Sequence, residues 1–270
     1  MGRGSNSGIG RAGAYMSQIV LYNAPQSTCS QRVRFVLHHK NLAFTENKLD
    51  LFSGDQLLPE YLKINPNGVV PAIVHNGRIV IDSSVIMEYL DEVYPQASLT
   101  PADPVERAHM RSLMRFIDEI PAPAIRVPSY NLAFLQHYQA MSEEEFLALA
   151  ESKPLRKEFL LAMGRTGFPA AEMTSSMNRL KRSVVRMDES IGASGGPWMM
   201  GADITLADIA IMPVIVRLDD INQQSMWDGR PAVANWLKLL RAHPCYAKTY
   251  YFGSLLTEKY PHLKRVVAAQ

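Results

Sequence analysis

QIVLYNAPQSTCSQRVRFVLHH, residues 18–39, holds two different periodicities joined by a loop. Gln18 to Tyr22 is a short, apolar, β-rich run, and Asn23-Ala24-Pro25 ends it, which predicts a buried strand followed by a turn. From Ser30 to His39, Val33, Val36 and Leu37 fall at i, i+3 and i+4, the mark of an amphipathic helix. Asn41 closes it. Downstream, Phe44 to Leu51 predicts a second strand. Leu57 to Ile64 predicts a short helix, stopped by Asn65-Pro66-Asn67-Gly68. Ala72 to His75 and Ile79 to Ile81 predict two brief strands, and Asn76-Gly77 between them is a strong hairpin signal. Ser83 to Tyr94 carries Val85, Ile86, Tyr89, Leu90 and Val93 at helical spacing. Strands one and two must then be parallel across their helix, and the last two form an antiparallel hairpin.

The rest reads as helix. Val105 to Ile120 has a stripe through Met110, Leu113, Met114 and Ile117, and Pro121, Pro123 and Pro128 then break the chain. Ser142 to Ala150 opens with Ser142 and Glu145, a capping-box spacing. Ala170 to Ile191 is long and amphipathic, stopped by Gly192 through Pro197. Thr205 to Ile221, Val233 to Ala242 and Tyr246 to Leu256 complete the set. At the first of these, Thr205 caps, Asp208 reaches back and Ile204 packs on Ile209 as a staple, a purely structural device. The expected fold class is α/β plus all-α. An α/β domain spans 16–95, a proline-rich linker 96–104 and a helical domain 105–270, with the site in the groove between the two.

Composition narrows the function. A chain of 270 residues with 47% hydrophobic and 20% charged residues is an ordinary globular one rather than a disordered one. No apolar run reaches the roughly 18 residues of a membrane span. The net charge of +2 is too small to argue for nucleic acid or an anionic membrane. Arg3 and Arg11 supply that excess, so the chain beyond residue 15 is formally neutral. Residues 1–15 are glycine-rich and lack the apolar core of a secretory signal. They read as a disordered tail or an added extension outside the fold. Two cysteines, Cys29 and Cys245, make no disulfide framework, and a reducing cytoplasm is the expected location. The histidines show no metal-ligand spacing and no phosphate-binding loop is present, so no metal is expected.

Three places could carry chemistry. Ser27-Thr28-Cys29 sits where the first strand meets the first helix. The free N–H groups and partial positive charge of a helix N-terminus stabilise a thiolate there, either Cys29 itself or the thiol of a bound ligand. Ser27 or Thr28 could donate a hydrogen bond to it, and serine also belongs at such a position as a plain N-cap. Without a Cys-x-x-Cys, dithiol chemistry is disfavoured. Val70-Pro71 precedes the third strand. A cis bond there would turn the Val70 N–H and C=O outward, toward an extended peptide-like ligand, whereas a trans bond would make it an ordinary loop. Asp82-Ser83 opens the third helix. Ser83 with its amide could hold a carboxylate and Asp82 an ammonium, or the pair could simply be a cap.

From about Ser17 to Leu256 the sequence resembles the glutathione transferases. Ser27-Thr28-Cys29-Ser30 with Gln31 to Arg34 resembles the active-site segment of zeta-class enzymes. Asn65-Pro66 with Val70-Pro71 resembles their cis-proline loop. Asp82-Ser83 with Ile86 and Glu88-Tyr89-Leu90 resembles the γ-glutamyl site and its helix, and Thr205 to Asp208 resembles the family's capping box. The resemblance implies a thioredoxin-like domain followed by a helical domain, glutathione as cosubstrate, a small hydrophobic electrophile and a homodimer. It places Ser27 as the hydroxyl that activates the thiol, with Cys29 and Thr28 the next candidates. It places Gln56, Val70, Pro71, Asp82 and Ser83 around glutathione. The long stretch from Pro121 to Gly167 is similar in kind to bacterial members acting on bulky aromatics, including β-aryl etherases and reductive dehalogenases, and Arg165 to Pro169 at its end resembles the etherase-like branch. Conjugation, ether cleavage or dehalogenation, maleylacetoacetate-type isomerisation and non-catalytic ligand binding are the functions this resemblance leaves open.

Overall fold

The computed structural model describes residues 18–264; the reading of residues 1–15 as a tail lies outside the described residues. Four strands, β1 (Ile19–Asn23), β2 (Thr45–Lys48), β3 (Ala72–His75) and β4 (Arg78–Ile81), form one sheet in the order β2-β1-β3-β4. β1 and β2 are parallel, and β3 pairs antiparallel with both β1 and β4. Leu21 faces Ile73 and Ile73 faces Val80 across this register. Asn76 and Gly77 both adopt positive φ, which is why an Asn-Gly pair makes the hairpin. β2 is shorter than the expected 44–51. The expected helix at 57–64 is a 3₁₀ turn, Asp55–Leu57, followed by α2 (Pro59–Leu62).

α1 (Thr28–His39) is not amphipathic as expected: every residue from Ser30 to Leu37 is buried. It is clasped between α3 (Ser83–Val93) and two helices far along the chain, described below as α11 and α13. Its polar face therefore meets protein instead of water. The stretch after α3 is tied down. Lys40 Nζ bonds the carbonyls of Tyr94 and Gln96 and pairs with Asp91, and Asp91 in turn accepts from the buried Leu99 N–H at 2.9 Å.

The helical domain begins with α4 (Pro104–Glu119). The prolines at 121, 123 and 128 do not open a loop. They cut the run into α5 (Pro121–Ala124), α6 (Arg126–Ser129), a π-helical turn (Tyr130–Phe134) and α7 (Leu135–Gln139). Each proline removes an N–H donor, but proline is acceptable in a first helical turn, so the path restarts rather than unwinds. α8 (Glu143–Glu151) has the expected capping box between Ser142 and Glu145. α9 (Lys157–Met163) was not legible in the sequence. α10 (Ala170–Ser194) runs through Gly192 and ends at Gly195 in the left-handed region.

α11 (Leu206–Asp220) is buried on almost every side and forms the axis of the domain. α12 (Pro231–Ala242) follows it. The expected helix at 246–256 is two helices, α13 (Pro244–Thr249) and α14 (Leu256–Lys259). The split has a cause: Asp220 accepts from the Leu256 N–H and the Thr257 hydroxyl, which starts a new helix there.

Asp208 does more than reach back to its own cap. Its fully buried carboxylate accepts from the Thr205 N–H and hydroxyl, the Met199 N–H and the Trp236 Nε1–H, each at 2.9 Å. Burial raises its pKa, and these four donors oppose the rise. Three segments therefore meet on one carboxylate. Asp208→Ala strands buried donors and should cost about 3 kcal/mol, against about 1 kcal/mol for Thr205→Ala. Urea denaturation of both variants checks the ranking, and equal losses would remove Asp208 as the hub.

Candidate active site

The turn between β1 and α1 is built by its carbonyl groups. Ala24, Pro25 and Gln26 lie between the end of β1 and the cap of α1, outside both ladders, so their carbonyls need other donors. Arg34 Nη2 donates to Pro25 O at 2.9 Å and Nη1 to Ala24 O at 3.3 Å and Asn23 Oδ1 at 2.6 Å. Gln31 Nε2 donates to Pro25 O at 3.3 Å and Ser254 O at 3.0 Å. Arg217, from α11, donates to Gln26 O at 2.7 Å and to Ser129 Oγ at 3.2 Å. Burial lowers the pKa of both arginines. Tyr251 and Glu46 oppose this for Arg34, and Asp220 for Arg217.

At the end of this turn Ser27 is the N-cap of α1, and its Oγ accepts from the Ser30 N–H at 3.2 Å. The capping role and a chemical role do not compete. A hydroxyl has two acceptor positions and one donor, and capping uses an acceptor position. The O–H remains able to donate, beside the positive end of a helix of 12 residues. Thr28 and Cys29 follow in the first turn, and Cys29 is half-buried.

These three residues form the floor of a cleft of about 920 Å³ between the two domains. Gln56, Val69 and Val70 line one side. Tyr61 Oη and Asn65 Nδ2 both donate to Val69 O at 2.7 Å, which fixes the loop, and the Val70–Pro71 bond is cis. Gln56 is buried and donates to Leu51 O at 3.2 Å, while its Oε1 has no partner among the described residues. A buried acceptor of that kind suits a ligand that brings an N–H. The opposite wall is aromatic. Tyr130 meets Phe134 edge to face at 5.1 Å, and Phe52, from the loop after β2, packs on Phe134 at 5.4 Å and stacks on His137 at 4.0 Å.

Of the residues expected in the site, Ser27, Thr28, Cys29, Gln56 and Val70 line this cleft together. Pro71, Asp82 and Ser83 do not line it. Pro71 and Asp82 flank the paired residues Ala72 and Ile81, beyond its edge. Asp82 is exposed and caps α3, accepting from the Ser84 N–H at 2.9 Å and the Val85 N–H at 3.1 Å. Ser83 is buried, with its hydroxyl 3.3 Å from Arg32 Nη1, which donates to it. Arg34 and Arg217 were missed as builders of the site. The one local sign was a charge set inside an apolar helix at Arg217. Histidine spacing gave no metal set, yet the fold brings ligand atoms of His39, His243 and Cys245 within 4.8 Å of one another, away from the cleft. His243 Nδ1 accepts from the Cys245 N–H at 3.2 Å, so one of its lone pairs is already used as a cap.

Residues 26–93 match the glutathione S-transferase N-terminal domain and residues 170–239 the glutathione S-transferase C-terminal domain. The probable maleylacetoacetate isomerase of Caenorhabditis elegans is 30% identical over 203 residues, covering 75% of this chain and 80% of that protein. The chain belongs to the glutathione S-transferase family. Protein LigF of Sphingobium sp. (strain NBRC 103272 / SYK-6) is 29% identical over 242 residues, 85% of this transferase and 92% of LigF. The crystal structure of the beta-etherase LigF superimposes with a TM-score of 0.78 at 28% identity, covering 86% of this chain and 98% of that one. The fold is the family's thioredoxin-like domain followed by its helical domain, and the activity is that of a glutathione-dependent transferase.

Arg217→Met removes the donor to Gln26 O and leaves Ser129 Oγ with only the bond it donates to Ile125 O. The expected loss is roughly 3 kcal/mol in denaturant unfolding, because a charged hydrogen bond is broken at a buried site. Glutathione affinity should fall with it. An unchanged midpoint and affinity would show that the turn keeps its shape without Arg217.

Proposed function

We propose that Ser27 activates glutathione for attack on an aromatic or otherwise apolar small molecule bound against the Phe52, Tyr130 and Phe134 wall. The observation that carries this reading is the Ser27 hydroxyl, whose oxygen caps α1 while its proton stays free to donate into the cleft. A thiol has an unperturbed pKa near 8.5. A hydrogen bond donated to the thiolate, together with the helix N-terminus, favours the charged form and lowers that value toward neutrality. The thiolate then forms a carbon–sulfur bond, and the leaving group departs with the electron pair of the bond it breaks.

In this reading Gln56 and the Val70 backbone hold the glycyl and cysteinyl units. Pro71 belongs with Val70 in the loop beside the cysteinyl unit, and Asp82 and Ser83 serve the γ-glutamyl end. Cys29 and Thr28 are the next candidates if Ser27 fails. The enzyme works as a cytoplasmic homodimer. Ile79 on β4, Val85 and Val93 on α3, and Val105 on α4 expose large apolar side chains, which a second copy would cover. A second reading, cleavage of β-aryl ethers, is favoured by the likeness to LigF over nearly its whole length. The same thiolate would displace a phenolate from carbon.

Ser27→Ala should lower kcat/KM for glutathione conjugation to 1-chloro-2,4-dinitrobenzene about a hundredfold at neutral pH, as loss of a donor to developing charge does elsewhere. The thiol pKa rises without its donor, so the rate should recover as pH increases. Wild-type rates in the variant would remove Ser27 from the mechanism. Release of a free phenol from a β-aryl ether, with one glutathione thioether formed, would decide for the second reading.

A further inference from the structure

Besides Arg217, whose guanidinium is held by Gln26 O and Ser129 Oγ, three cations line the cleft from the helical domain: Arg126 on α6, Lys153 just after α8 and Arg156 just before α9. None has a carboxylate within 4 Å among the described residues. Neither Arg126 nor Lys153 makes a side-chain hydrogen bond there, and Arg156 donates only to the neighbouring Leu155 O at 3.0 Å. In the same segment Glu151 pairs with Lys157, Glu143 pairs with Arg165 and Glu145 caps α8. The three are partly buried and close enough to repel one another. Burial and then Arg156 lower the Lys153 pKa, and burial and then Arg126 lower that of Arg156. Like charges brought together out of water are costly unless an anion joins them.

Glutathione brings two carboxylates, and under the reading above these belong at Gln56 and beside Ser83. Lys153 adjoins that side: its neighbour Pro154 lies against Gly68, in the loop that precedes Val70. Arg126 instead stands one turn before Tyr130 of the aromatic wall, and Phe159, about one turn after Arg156, packs on the Tyr130 ring at 4.9 Å. A planar guanidinium pair over an aromatic pocket suits a carboxylate on a ring. We infer that the electrophile of this transferase is an anionic aromatic compound, its carboxylate held by Arg126 and Arg156, with Lys153 adding positive charge from the glutathione side. The inference rests on the glutathione-site reading and adds the charge of the second substrate.

Calorimetry on the intact protein tests it with three ligands: S-methylglutathione, S-(4-carboxy-2-nitrophenyl)glutathione and S-(4-carbamoyl-2-nitrophenyl)glutathione. The two conjugates differ in one group, so their ratio of affinities reads the charge alone. The carboxylate conjugate should bind at least tenfold more tightly than its amide, and Arg126→Gln or Arg156→Gln should bring that ratio close to one. Equal affinities of the two conjugates for the wild-type protein would overturn the inference whether or not the variants fold. So would a substitution that weakens S-methylglutathione as much as the carboxylate conjugate, because the cations would then serve glutathione's own carboxylate. Failure of S-methylglutathione to bind at all would defeat the glutathione reading first, a different result from a protein that binds it and ignores the ring charge.

Discussion

Two buried guanidinium groups hold the turn on which the chemistry depends. Arg34 binds the carbonyls of Ala24 and Pro25, and Arg217 binds the carbonyl of Gln26. A charge buried without partners costs several kcal/mol, so neither arginine can leave these oxygens cheaply. Neither can the oxygens be left alone, since the turn has no strand or helix to pair with them. Arg34 also reaches Thr249 O and Ser254 Oγ, and Arg217 reaches Ser129. The consequence is that the helical domain fixes the shape of a loop in the other domain. Ser27 is placed at the start of α1 by residues on α11 and in the loop after α13.

The same constraint explains where local patterns ran short. Val33, Val36 and Leu37 marked α1, but nothing local said that Gln31, Arg32 and Arg34 would be buried too. Their partners lie far along the chain: Gln31 bonds residue 254 and Arg32 bonds the Ala210 carbonyl. The β3–β4 hairpin was legible because Asn76-Gly77 carries its turn chemistry within two residues. The region 121–139 was not, because prolines announce a break without saying whether packing restarts the helix. The split of 246–256 was hidden for a similar reason, since the cap that begins α14 is Asp220, on another helix.

The candidate site divides along the same line. Ser27, Thr28 and Cys29 are contiguous at a strand-to-helix turn, a place where the sequence alone points to chemistry. Gln56 came from the resemblance alone, Val70 from the Val70-Pro71 pair as well, and both line the cleft. Asp82 was legible as a cap or as a ligand group, and in the structure its carboxylate caps α3. The cations Arg126, Lys153 and Arg156 left no pattern, because Arg126 stands on a helix of four residues and the other two in the connection between α8 and α9, where no helical spacing orients them. Only the fold puts them on one wall.

The most direct test of the account is a crystal structure of the protein with reduced glutathione. The glutathione sulfur is expected within about 3.5 Å of Ser27 Oγ, as a hydroxyl-to-thiolate hydrogen bond requires, with that oxygen still accepting the Ser30 N–H. A sulfur bonded to Cys29 Sγ, or one lying out of reach of Ser27, would contradict it.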